Sequence, residues 1–398
     1  MNITDRTKSA GWVPFAYGFR PFFLLAGLSA MLSLLAWLWI YRSGGWPLPT
    51  LAPQYWHGHE MIFGFIGAAI AGFLLTAVPS WTGSRGFAGP PLVALVLSWL
   101  AGRVLFSLGQ EVPAWVLAVG ELSFIPALVL TISPSLLRAR SRNRLLLIVL
   151  ALFWMTDAIF VYGMVRGDSM LSRTALLAAT DIVLILITII GGRIVPSFTG
   201  NALRASGAQI SLRSTPAVER LVLLAMVAML LGDVFLPAST LTIAVVALAA
   251  VLQFWRLAGW QGWRTLREPL VWVLHLAYLW LPVGLALKAV SLAGGFTWAA
   301  YWQHALGAGA AGMMILAVMT RAALGHTGRP LKAHALVAIA YATLALAVAV
   351  RVFGPALLPL PYSSVVLLAG VLWVAAFGLY LAIYTPILLR PRADGKPG

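Results

Sequence analysis

The stretch QYWHGHEMIFGFIGAAIAGFLLTAV, residues 54–78, opens on titratable groups and runs into an apolar segment. A spanning helix needs about 20 mostly apolar residues, and His57–Val78 supplies them. A soluble helix of this length would keep one polar face. A plain membrane span would not begin with His57, His59 and Glu60. The stretch therefore predicts a transmembrane helix with chemistry at its mouth, and its class extends to the rest of the chain.

The same test is met at approximately Pro21–Tyr41, Pro91–Leu108, Pro113–Leu137, Leu145–Val165, Thr174–Pro196 and Val218–Leu236. It is met again at Ser239–Trp260, Leu270–Val290, Tyr301–Leu324, Ala333–Phe353 and Ser363–Leu389. The expectation is an all-α polytopic transmembrane helix bundle of about twelve spans, filling residues 1–398 as a single integral membrane domain. Composition agrees: 61% of the 398 residues are hydrophobic, only 10% are charged, and the mean hydropathy is +0.93. Soluble domains are nearer half apolar and a quarter charged. No stretch between spans is long and polar enough for a second, soluble domain. The chain has no cysteine, which excludes disulfides, thiolate ligands and thiol catalysis. The first twenty residues lack an apolar core with a small-residue cleavage site, so no cleaved signal peptide is expected.

A formal charge of +16 raises the question of nucleic acid. The placement of the charge answers it. With twelve alternating spans, eighteen Lys and Arg fall on the side of the N-terminus, among them Arg6, Lys8, Arg20, Arg213 and Arg256; only Arg42, Arg166 and Arg173 fall opposite. By the positive-inside rule both termini are expected to be cytoplasmic. The basic balance reads as topology, and no nucleic-acid partner is expected.

That orientation puts His57, His59 and His304 at one depth near the outer face, on two helices distant in sequence. His275 lies inside the ninth span, and His326 and His334 flank the cytoplasmic loop LGHTGRPLKAH. Ionisable groups at membrane depth are functional candidates. On a regular helix, residues two apart point roughly 200° away from each other. His57 and His59 therefore do not chelate one ion from one face; either the helix starts between them or they serve different centres. Glu60 is placed to fix one imidazole. Gly64, Gly67, Ala68, Ala71 and Gly72 follow His57, and Gly307, Ala308, Gly309, Ala311 and Gly312 follow His304; such residues suit a flat macrocycle and equally suit close helix packing. Nitrogen ligands without thiolates make haem iron, copper or zinc the metals to consider. Arg103, Glu121, Asp157, Asp181, Arg193 and Arg321 are charges within spans, fit either for proton relay and anion contact or for ion pairing between helices.

Five stretches resemble one family: RPFFLLAG from Arg20, WHGHEMIFGF from Trp56, AGFLLTAVPSWTG from Ala71, GGRIVPSFTGNAL from Gly191, and HALGAGAAGMMILAVMTRAALGHTGRPL from His304. On these motifs the chain resembles the NnrS family. The resemblance implies a multi-pass bacterial inner-membrane protein that binds haem (b-type) and copper and relieves nitric oxide stress in connection with denitrification. It also implies His57, His59 and His326 as candidate ligands. Its cytoplasmic position separates His326 from the outer group by about 30 Å of hydrocarbon, so a cap or loop-ordering role is expected of it. The candidate cofactor contacts are thus His57, His59, His304, His275 and Arg193, and the candidate metal ligands His57, His59, His304 and His326. Lipid, nitric oxide and an electron donor are the expected partners. A haem-free polytopic transporter is the alternative, for which broken helices would be the sign.

Overall fold

The computed structural model describes residues 13–45, 51–108, 111–208, 212 and 215–396; Arg6, Lys8 and Arg213 lie outside them. Among the described residues there are twelve long helices and no strand. They are α1 (Phe19–Ser43), α2 (Pro53–Thr82), α3 (Pro90–Leu108), α4 (Ala114–Arg138), α5 (Asn143–Arg166) and α6 (Ser169–Ala205). Then follow α7 (Pro216–Phe235), α8 (Thr240–Gly259), α9 (Pro269–Leu292), α10 (Thr297–His326), α11 (Ala335–Leu357) and α12 (Tyr362–Leu389). Proline, which has no N–H to waste, begins α2, α3, α7 and α9. Left-handed glycines, Gly44, Gly83, Gly167 and Gly328, follow the ends of α1, α2, α5 and α10.

Eleven of these helices are long and apolar enough to cross a membrane. The chain is an all-α polytopic membrane protein. The exception is α7, whose 20 residues include Glu219, Arg220 and Asp233. Two of those acids are neutralised by cations of neighbouring helices, Glu219 by Arg256 and Asp233 by Lys288. Charges that spoil its composition are thus paired inside the fold. Arg256, counted above with the loop cations, lies within α8 and is buried. Outward-facing Trp39, Trp115, Leu130, Trp255 and Phe235 are more than half exposed, as expected where lipid is the solvent. Pro196 does not end α6 as the sequence suggested; the helix continues to Ala205.

The chain forms two compact units. The first holds α1–α5 with the last turns of α10 and α12. In it, Arg20, 1% exposed in the first turn of α1, donates to the carbonyls of Leu388 and Arg390 at 2.8 Å each. Gly72 lets α2 close onto Phe22 and Phe23. The second unit holds nearly all of α6, then α7–α9, the first part of α10, α11 and the first half of α12. Its core runs along α9, where Leu274, Tyr278 and Leu281 are fully buried. Gly309 admits Trp280, Gly312 admits Trp373, and Gly284 admits Leu306. Gly309 and Gly312 after His304 therefore serve packing.

Candidate metal centre

His59 sits where α2 changes its winding. Residues Pro53–His59 are α-helical and Glu60–Ile66 are π-helical. Short π segments inside α-helices are frequent at functional sites. The wider winding lets the Gly64 carbonyl accept a hydrogen bond from Trp99 Nε1 at 3.1 Å. His57 and His59 part company here, as their spacing requires. His57 stacks on Trp37 of α1, ring centroids 4.7 Å apart. His59 turns into the unit and is completely buried, its ring packed on Phe106, at 3.8 Å, and Phe160, at 4.7 Å.

Three acids meet it. His59 Nε2 lies 3.0 Å from Asp157 Oδ1 of α5 and 3.6 Å from Glu121 Oε1 of α4, while Nδ1 lies 3.6 Å from Glu60 Oε1. Arg103 of α3 forks between two of them, donating to Glu60 Oε1 at 2.6 Å and to Glu121. Glu121 is aimed by a local break. Pro126 offers no N–H to the Leu122 carbonyl four residues back, Trp154 Nε1 donates to it instead at 2.9 Å, and α4 is interrupted at Ser123. Glu121 stands just before that interruption with Oε2 buried and without a hydrogen-bond partner.

One ligand atom each from His59, Glu121 and Asp157 lie within 4.8 Å of one another. With a neutral imidazole the group has three carboxylates against one guanidinium, an excess of two negative charges in a dry site. Such an excess is costly unless compensated, and a divalent cation would balance it. One imidazole with two carboxylates is a donor set for zinc, iron or manganese more than for copper. A haem does not fit at His59, because both ring nitrogens face carboxylates, Nε2 those of Asp157 and Glu121 and Nδ1 that of Glu60.

The other predicted residues are dispersed. His304 lies in the second unit, partly exposed, and the π-helical stretch Ala305–Gly312 begins directly after it. Beside it, a Cβ added to Gly307 would meet nothing within 4 Å. That smooth wall suits a flat group at His304. His275, in the same unit, is buried with Nε2 2.7 Å from Thr199 Oγ1; its ring lies against Gly262, where a side chain would collide with it. Arg193 lies on the exposed side of α6. His326, in the first unit, ends α10 against the rings of Tyr17 and Phe19, and its carbonyl accepts from Arg392 Nη1 at 2.8 Å. His334 Nδ1 accepts from Leu336 N at the start of α11.

The model of the family described as NnrS protein matches residues 13–392. The chain belongs to the NnrS family. No curated protein matches it.

Of the acids of this NnrS site, the sequence set Glu60 beside an imidazole and gave Glu121 and Asp157 only as span charges for proton relay or ion pairing, not as ligands. A signal was present. Thr82-Gly83, Thr199-Gly200 and Thr327-Gly328 close related phrases, VPSWTG, VPSFTG and LGHTG, on α2, α6 and α10. Each threonine hydroxyl donates to the carbonyl four residues back, at Val78, Val195 and Ala323. His59 and His304 both stand 23 residues before that threonine, with glycines at matching places, Gly64 with Gly309 and Gly67 with Gly312. His59 rather than His57 is therefore the counterpart of His304.

Proposed function

We propose that this protein is a metal-containing protein of the bacterial inner membrane that relieves nitric oxide stress in connection with denitrification. It does so by binding or turning over nitric oxide or by protecting iron from it. The observation that carries the reading is the buried His59–Glu121–Asp157 group with its surplus negative charge and its unsatisfied Glu121 Oε2. These residues would hold a small ion, which supplies a Lewis-acidic or redox centre. Glu60 and Arg103 orient the ligands and keep the remaining charge in check. Haem would be held in the other unit through His304, and copper competes for the imidazoles that haem leaves. A cytoplasmic position of both termini is part of this reading, supported by the excess of basic residues on their side of the expected topology.

The test has two arms. Detergent-solubilised protein is analysed for iron, copper, zinc and manganese and by a reduced-minus-oxidised visible spectrum. In parallel, a deletion strain is grown under nitric oxide and its iron–nitrosyl signal recorded. Stoichiometric metal, a haem spectrum, and slower growth with more iron–nitrosyl are expected. Absence of metal and haem would leave the transporter reading, which the interruption of α4 beside Glu121 favours.

A further inference from the structure

A second buried ionic group lies in the other unit and takes no part in the proposed metal centre. Lys288 of α9 is 2% exposed. Its Nζ pairs with Asp233 of α7, lies 3.6 Å from Asp181 Oδ1 of α6, and sits 4.8 Å over the ring of Trp302 at the start of α10. Among the described residues, the groups set against the ammonium are two carboxylates, from α6 and α7, and one aromatic face, from α10. The next charged pair, Arg256–Glu219, is engaged with Thr188 and Tyr278, and Thr188 is roughly 10 Å further along α6. Asp181 is itself 2% exposed, and its Oδ2 is buried with no hydrogen-bond partner.

Two carboxylates and one ammonium leave one negative charge in excess. An uncompensated charge inside a span costs several kcal/mol, and with Lys288 already occupying the centre no metal ion can supply the balance. A proton can. Asp181 carries the acceptor atom that nothing else uses, and Lys288 holds the second carboxylate in place.

We propose that Asp181, Asp233 and Lys288 form a membrane-embedded proton-loading site that binds and releases one proton at Asp181. Asp181 stands 15 residues before Pro196 of VPSFTG, as Gly64 stands 15 before Pro79 of VPSWTG. The site thus has the same position along its helix as the Glu60–Arg103 contact has in the other unit, where Gly64 abuts both side chains. It would serve any proton-consuming reaction in the membrane and stands independently of the metal reading.

The experiment is infrared difference spectroscopy of the full-length protein in detergent, in H2O and D2O, across the neutral and alkaline range. The parent is expected to show a carboxylic-acid carbonyl band from this site that shifts in D2O and titrates. Asp181→Asn loses that band. Asp233→Asn also loses it, because Lys288 and Asp181 then balance as ions. Lys288→Met gains a second band, because both acids must then be neutral. Spectra of all three variants matching the parent, or a band that neither exchanges nor titrates, would overturn the proposal. Metal content and haem absorption of the variants, which should match the parent, separate its failure from that of the metal centre.

Discussion

Arg103 is where stability and metal binding pull in opposite directions, so Arg103→Met tests the proposed centre most directly. Its guanidinium is shared by Glu60 and Glu121, and its side chain is 12% exposed. Removing one partner of a buried ion pair costs about 3–5 kcal/mol, because the other charge is left behind. Here two carboxylates are left behind, and a single such loss already weakens the fold by roughly 10²- to 10³-fold or more at 1.4 kcal/mol per factor of ten. The metal-free variant should therefore unfold well below the parent. The sign reverses for the ion: without the guanidinium, three carboxylates attract a divalent cation with no competing positive charge. Metal should stabilise the variant more than the parent, by the linkage between ligand affinity and unfolding. Arg103→Lys keeps the charge but not the fork that spans two acids, and should fall between. The assay is thermal unfolding in detergent, with chelator and then with added iron, zinc or manganese. If parent and Arg103→Met unfold together in chelator, or gain the same increment from metal, the cluster is not held as described.

Other outcomes follow from single contacts. Gly192→Ala would drive a methyl group into the Arg256 guanidinium and should cost about 1–3 kcal/mol by overpacking; unchanged unfolding would contradict the close approach of α6 and α8. His304→Ala should lose haem absorption, His59→Ala should lose the small ion and keep haem, and His334→Ala, whose ring only caps α11, should change neither. Haem lost from His59→Ala with the ion retained would reverse the assignment. Arg392 holds the exposed Asp394 carboxyl down at about 2, against an ordinary 3.8. Because the folded value is the lower one, this contact stabilises the tail above the ordinary value and is lost as pH falls towards 2. Asp394→Asn should therefore speed proteolysis of the C-terminal tail at neutral pH, and equal rates would show that the contact does not hold it.

The fold was legible because membrane helices announce themselves by length and hydropathy, and eleven of the spans needed little more than that. The helix α7 shows the limit. Its acids look like exceptions to a span until Arg256 and Lys288, from α8 and α9, are seen beside them. The site was legible in part for the same reason. The i, i+2 spacing foretold that His57 and His59 diverge, since that follows from helix geometry alone. It could not foretell that Phe106 and Phe160 would pack on His59, or that Glu121 and Asp157 would reach it, because those contacts depend on which helices neighbour α2.

The recurrence of a Thr-Gly helix end on α2, α6 and α10 bears on how the two histidine-bearing helices divide their work. His59 and His304 hold corresponding positions, and each is followed at once by a π-helical stretch. The neighbouring chemistry differs. Around His59 the first unit supplies carboxylates at both ring nitrogens, which suits a small cation and leaves no nitrogen open to the iron of a macrocycle. Around His304 the second unit supplies a partly exposed imidazole and the open wall of Gly307. On α6 the corresponding position is Leu176, and the polar residue appears instead five places on as Asp181. One helical pattern thus presents an ion ligand, a haem candidate and a proton acceptor in three places. What each position can do is set by its side chain and by the groups that adjacent helices bring to it.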